Sequence, residues 1–172
     1  GVGVEAARHL IGIRRMNHDK RTPFAAINWH APWLERYAAL GEAAAQQVLA
    51  GATVAQAFNH LVAQGAAPDP GVRFVPQADL PSGMAYEQFI LERAQVPTRD
   101  NLHDFFNGLM WLHWPQTKRR MNQIHGTAVQ AQGVQARRGP LRDALTLLDE
   151  NAALLVAPAA LLHALQTRQW QL

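Results

Sequence analysis

The sequence predicts a mainly α fold: a single helical domain with at most one small β-hairpin and a long Pro-rich loop. Apolar residues recur at steps of three and four through most of the chain, the period of helices that bury one face. Glycines and prolines punctuate these stretches where helices start or stop, as at Gly41, Gly51, Pro97 and Pro115. An apolar content of 48% is ample for one packed core in 172 residues. The expected division is an N-terminal extension over residues 1–22 and one helical domain over 23–172.

Residues 1–22 are basic and weakly amphipathic. Gly1 and Gly3 do not make a phosphate loop, because no strand precedes them and no third glycine follows at the right spacing. Within Phe24–Tyr37, Trp29, Trp33 and Tyr37 repeat every four residues, a stripe for core or interface packing, and Pro32 is placed to open a helix. His30 is a candidate ligand among these aromatics, although a packed, hydrogen-bonded role suits it better. Two helices follow, Glu42–Ala50 and Thr53–Gln64, the second capped by Thr53, with His60 opposite most of its apolar positions. Residues 65–83 hold Pro68, Pro70, Pro76 and Pro81 and form the longest irregular region, either functional or wrapped on the core. Within it VRFVPQ, 72–77, reads as a short strand or extended segment. Met84–Ala94 is a further helix, with Tyr86, Phe89 and Ile90 inward and Glu87, Glu92 and Arg93 outward.

The densest stretch is VPTRDNLHDFFNGLMWLHWPQTKRRMNQIH, 96–125. Pro97 keeps Val96 out of a helix, and Thr98 or Asp100 is the expected N-cap. Leu102, Phe105, Phe106, Leu109, Met110 and Leu112 follow a helical period up to Pro115, which opens a second helix to about Gln132. That helix is expected to turn Thr117, Met121, Ile124, Thr127, Ala128 and Ala131 inward. Asp100, Asp104, Asn107 and Trp111 share one stripe of the first helix, and His103 and Asn107 form an i, i+4 pair. Such a group suits metal ligation or a general base. It equally suits a structural polar network, with carboxylates at the positive end of the helix dipole and the basic run as a solvated face.

Residues 143–156 admit either a helix or a hairpin with a DEN turn, and Pro158–Trp170 reads as a last helix. Its apolar end predicts a face left exposed or covered by a partner.

The strings FVPQADLPSGMAYEQFI, VPTRDNLHDFFNGLMWLHWPQTKRRMNQIH and RGPLRDALTLLDEN resemble the uncharacterised bacterial family catalogued as Domain of Unknown Function 3025. The resemblance runs from about Phe24 to the end. It implies no activity, cofactor or substrate. Relatives usually carry a glycine after the DEN triplet, where this chain has Ala152. They also continue further, so a C-terminal portion is expected to be missing.

Three functions compete. The first is a metal-dependent hydrolase acting on a phosphate ester. His103-Asp104 resembles the metal doublet of the HD class of helical phosphohydrolases, although that class follows the doublet with an apolar-Gly pair rather than Phe105-Phe106. In this reading His103 and Asp104 hold a divalent metal, with an earlier His (His60 or His30) and a later Asp (Asp143 or Asp149) completing the set. Asp104, His103, Asn107 and Lys118 are catalytic, and Arg119, Asn122, Arg99 and Arg142 bind a phosphorylated small molecule. The second is a non-enzymatic helical interaction module, with a second copy or the missing C-terminal segment covering its aromatic face. The third is nucleic-acid binding through Lys118–Arg120, Arg137, Arg138 and Arg142.

Composition narrows the field. With no cysteine there is no disulfide, thiol catalysis or Cys-ligated zinc, which fits a cytoplasmic protein. Ser82 is the only serine and sits in a Pro-Ser-Gly turn, which argues against serine-type catalysis. No run of about eighteen apolar residues is present, so no transmembrane helix is expected. A net charge of +3 is too mild to indicate nucleic acid without a patch.

Overall fold

A computed structural model describes residues 22–132, 139–152 and 155–171. The expected N-terminal extension up to residue 21, together with Arg137 and Arg138, lies outside the described residues. The described chain is mainly α. It runs α1 (Thr22–Ala25), α2 (Ala38–Leu49), α3 (Val54–Ala63), β1 (Arg73–Pro76), α4 (Tyr86–Arg93), β2 (Gln95–Thr98), α5 (Leu102–His113), α6 (Pro115–Gln132), α7 (Pro140–Asn151) and α8 (Ala159–Gln166).

The core forms where α3, α5 and the small sheet meet. Phe58 of α3 packs on Phe74 of β1 at 5.0 Å and on Phe105 of α5 at 5.4 Å between ring centroids, and Phe24 meets Phe105 edge-on at 5.3 Å. Gly108 lets α5 approach, because a Cβ there would overlap the Phe58 ring. Gly41 plays the same part beneath Trp29. This is why α2 passes through Gly41 and starts at Ala38, rather than at Glu42 as its sequence suggests. Thr53 caps α3 as expected, in a reciprocal capping box with Gln56.

The strands pair in parallel, Arg73 opposite Gln95 through Pro76 opposite Thr98, and α4 is the crossover between them. Parallel neighbours need a long connection, here α4, which a tight turn cannot supply. Residues 143–151 are helical within α7, so the hairpin form of 143–156 is not adopted at the DEN triplet. The Pro-rich region contributes β1, and Pro70 and Ala67 are buried, so it wraps the core. Asn59 secures that wrap: its amide donates to the Phe74 carbonyl at 2.7 Å and accepts from the Phe74 N–H at 3.0 Å.

Four other expectations shift. The N-cap of α5 is Asn101, whose Oδ1 accepts from the Asp104 N–H at 2.8 Å. Thr98 belongs to β2, and Asp100 instead accepts from the Val54 N–H at 2.8 Å, capping α3 from 46 residues away. Trp33 is 76% exposed while Trp29 is buried, so the aromatic stripe is not one face. Pro32 opens no helix; the chain reaches α2 through a 3-10 turn at Glu35–Tyr37. On α6 the buried positions are Lys118, Gly126 and Val129, not the expected Thr117 and Thr127, which are exposed. The inner face of α6 meets α4 and a polar cleft, so an apolar count selects the wrong face.

α7 meets the other elements chiefly through α6. It buries Leu145 and Arg142 but leaves Leu141, Leu147 and Leu148 exposed, as α8 leaves Leu161, Leu162 and Leu165. No helix among the described residues is long and apolar enough to cross a membrane.

The Phe58–Gly108 contact gives a stability test. Alanine favours a helix over glycine by about 1 kcal/mol. Overpacking a closed core costs about 1–3 kcal/mol, and Phe58 is pinned on two sides. Gly108→Ala is expected to lower stability in urea melts, whereas Gly65→Ala, where a Cβ meets open space but φ is +70°, loses only the backbone strain.

Candidate functional site

A cleft of about 870 Å³ opens between α4, α5, α6 and α7. Its floor is α5, which presents His103, Asp104, Phe106, Asn107, Met110 and Trp111. α6 adds Lys118, Met121, Asn122 and His125; α4 adds Tyr86, Glu87 and Ile90; α7 adds Leu145, Thr146, Asp149, Glu150 and Asn151. Gln77 and Leu80, just after β1, and Arg99, just after β2, complete the wall.

Asp104 organises the α5 end. Its Oδ2 accepts from the Arg99 backbone N–H at 2.7 Å and from Arg99 Nε at 3.0 Å; its Oδ1 accepts from Arg99 Nη2 at 3.1 Å and meets His103 Nδ1 at 2.9 Å. Burial alone would push this carboxyl up, but the Arg99 and His103 hydrogen bonds and the Arg99 charge outweigh it and hold Asp104 below its ordinary value. An ionised carboxylate only accepts, so His103 Nδ1 carries the proton of that bond, and neutral His103 keeps its lone pair on Nε2. The His103 side chain is 70% exposed, against 7% for Asp104, so Nε2 stands at the cleft edge.

Further in, a chain of bonds crosses the cleft. Asn107 Nδ2 donates to Tyr86 Oη at 3.2 Å, and Asn107 Oδ1 accepts from Lys118 Nζ at 2.8 Å. Lys118 Nζ also pairs with Asp149 Oδ1 of α7 at 2.6 Å and lies 5.7 Å from the Trp111 ring centroid. Tyr86 is pushed well above the ordinary phenol range, first by burial and then by the charges of Asp104, Asp149 and Glu87, against the Asn107 hydrogen bond. Its hydroxyl therefore stays protonated. Asn122 Nδ2 donates to the Glu87 carbonyl at 2.8 Å. His125 Nε2 lies 3.1 Å from the Arg142 carbonyl, which fixes the proton there and leaves Nδ1 facing Glu87 Oε1 at 3.5 Å.

Of the residues singled out from sequence, His103, Asp104, Asn107, Lys118, Asn122 and Arg99 all line this cleft. Arg119 and Arg142 do not: Arg119 is exposed and lies across Gly71, and Arg142 is buried, giving its carbonyl to His125. His60 is exposed and pairs with Gln47; His30 and Asp143 are exposed and outside the cleft. Among the described residues, no group of three or more His, Asp or Glu side chains is placed to hold a metal ion. Asp104 is already engaged by Arg99 and His103, so the His103–Asp104 doublet offers one free ligand atom, His103 Nε2, and the donor set does not fit the expected divalent metal. Sequence reasoning missed Tyr86, Glu87, His125 and Glu150 as site residues. Tyr86 was marked only as an inward helix position, and Glu87, Glu150 and His125 carry no spacing signal that joins separate helices.

Because folded Asp104 lies below its unfolded value, its network stabilises the fold above about pH 4, and that contribution is lost as pH falls toward the folded value. Asp104→Asn is expected to lose about 1–3 kcal/mol at pH 7, where the donors lose a charged acceptor, and to show a flatter loss below about pH 4. Urea melts of both proteins at pH 7 and pH 3 measure this; parallel curves for variant and wild type would show that Asp104 contributes nothing.

The family model described as a protein of unknown function (DUF3025) matches residues 72–172, which span β1 to α8 and every residue lining the cleft. No curated protein and no solved structure matches the chain. The protein that carries this cleft thus belongs to the DUF3025 family, whose function is unknown.

Proposed function

We propose that the protein is a hydrolase in which the His103–Asp104 dyad acts as general base on a small polar substrate in the cleft. The observation that carries this is the 2.9 Å contact between His103 Nδ1 and an ionised, buried Asp104, with Nε2 left open at an exposed edge. That arrangement orients the imidazole and stabilises the imidazolium formed when Nε2 takes a proton from water. The hydroxide so generated attacks the substrate carbonyl, and His103 returns the proton to the leaving group. Tyr86, protonated and lining the same cleft, supplies a neutral hydrogen-bond donor for charge that develops on the substrate.

The phosphate-ester version has less support. Lys118 is already matched by Asp149, Arg99 by Asp104, and Arg119 and Arg120 are exposed outside the cleft, so no cationic clamp is assembled among the described residues. The same placement splits the basic run that nucleic-acid binding needs, since Lys118 and Arg142 are buried. The interaction-module reading keeps one specific observation, the exposed leucines of α7 and α8. The aromatic surface it also invoked is reduced, because Trp29 and Trp111 belong to the core.

The test uses two chromogenic probes, p-nitrophenyl acetate and, with added Mn²⁺, p-nitrophenyl phosphate. The acetate is expected to turn over, and His103→Ala is expected to reduce its rate about 10²-fold or more at an unchanged melting temperature. Acetate turnover untouched by His103→Ala would overturn the dyad. Metal-dependent turnover of the phosphate ester would return the metal reading in its place.

A further inference from the structure

One chain of hydrogen bonds in the cleft has a fixed direction. The Lys118 ammonium can only donate. The Asn107 atom it meets at 2.8 Å is therefore the amide oxygen, and the amide nitrogen must face the other way. That nitrogen lies 3.2 Å from Tyr86 Oη and donates to it. Tyr86 Oη thus accepts from Asn107, and its own proton has no acceptor among the described residues. The Tyr86 hydroxyl lines the cleft, so that proton is offered to whatever the cleft holds.

Lys118 keeps this direction because its ammonium is held on three sides. Asn107 Oδ1 and Asp149 Oδ1 accept from it at 2.8 and 2.6 Å, and the Trp111 ring centroid lies 5.7 Å away. The Lys118 side chain is only 9% exposed, so turning the Asn107 amide over would set an NH2 group against a buried ammonium. The released proton also stands near the dyad. His103 and Asn107 are four residues apart on α5, neighbours on one face with a rise of about 6 Å. Tyr86 Oη is bonded to that Asn107 and shares the cleft with His103, so one small substrate can meet both groups.

We propose that Asn107 and Lys118 are positioning residues, which turn the Tyr86 O–H toward the carbonyl oxygen of an uncharged ester or amide held in the cleft. This deepens the hydrolase reading and rests on it. Hydroxide generated at His103 adds to the carbonyl carbon, and the π pair moves onto the oxygen that Tyr86 holds. When that pair returns, the bond to the leaving group breaks, and the leaving group takes the proton carried by the His103 imidazolium. An uncharged substrate suits the surroundings. Arg99 and Lys118 are already matched by Asp104 and Asp149, and Ile90, Phe106, Met110, Met121 and Leu145 make the rest of the wall apolar.

Infrared spectra of the full chain with cyclopentanone, an uncharged ketone that cannot be hydrolysed, test this. The bound carbonyl stretch is expected at lower wavenumber in wild type than in Tyr86→Phe, which lacks the proton. Asn107→Asp is expected to match Tyr86→Phe, because it keeps an acceptor for Lys118 but gives the Tyr86 proton a competing carboxylate. With p-nitrophenyl acetate, each variant is expected to lose about 10²-fold in kcat at near-constant KM, the size of one oxyanion donor, and the double variant no more than either. A stretch that Tyr86→Phe does not move, a stretch that Asn107→Asp leaves as in wild type, or no ketone binding at all overturns the proposal. Should a thermal melt show Asn107→Asp unfolded, Asn107→Ala, which removes the lock, is read in the same way. His103→Ala should leave the ketone stretch unchanged, so a failed dyad shows in ester turnover and a failed Tyr86 donor shows in the spectrum.

Discussion

The carboxylate of Asp104 is the constraint on which the site depends. It stands at the third position of α5, where the positive end of the helix dipole favours an anion, and its own amide is capped by Asn101. From there it accepts the Arg99 backbone N–H, two guanidinium N–H groups and His103 Nδ1–H. These bonds fix the turn between β2 and α5. The sheet therefore sets the position of α5, and with it the positions of His103, Asn107 and Trp111. A carboxylate so supplied with donors stays ionised despite burial, and this sets the His103 tautomer. The structural and chemical roles of Asp104 are thus one arrangement: the bonds that hold the turn are the bonds that orient the imidazole.

Behind the cleft, α5 is held rigidly. Phe58, Phe74 and Phe105 close the core against Gly108, and Asp100 caps α3, so the 100–105 segment is fixed at both ends by separate interactions with α3. In front of it, α7 meets the body mainly through α6, by Leu145, by the Arg142 carbonyl on His125 and by the Lys118–Asp149 pair. One wall of the cleft is thus much less constrained than its floor. Catalytic groups sit best on a rigid element, and the proposed dyad is on α5.

The helices were legible in the sequence because their core faces are periodic: Val54, Ala57, Phe58 and Leu61 on α3, and Phe105, Leu109 and Leu112 on α5. The cleft-facing side of α5 was legible too, since the stripe Asp104, Asn107, Trp111 is set by helical geometry alone. What failed depended on partners distant in sequence. Thr98 and Asp100 have cap-forming side chains, but pairing with β1 claims the first and the N-terminus of α3 claims the second. The inner face of α6 was misjudged because it borders a polar cleft, where burial selects Lys118, Asn122 and His125 over threonines. Parallel pairing of β1 with β2 could not be read either, because alternation within one short strand carries no information about its neighbour.

Lys118 shows how a basic run can lose its apparent meaning on folding. In sequence it stands with Arg119 and Arg120 as a phosphate-binding cluster. On α6 successive residues are turned by about 100°, so Arg119 and Arg120 face solvent while Lys118 enters the cleft. There its ammonium is consumed by Asn107, Asp149 and the Trp111 ring, joining α5, α6 and α7 at one point. Burying an ammonium is tolerable only with such partners, and a substrate anion would have to displace Asp149 to reach it. The charge that the sequence seems to offer a ligand is thus spent on holding three helices together.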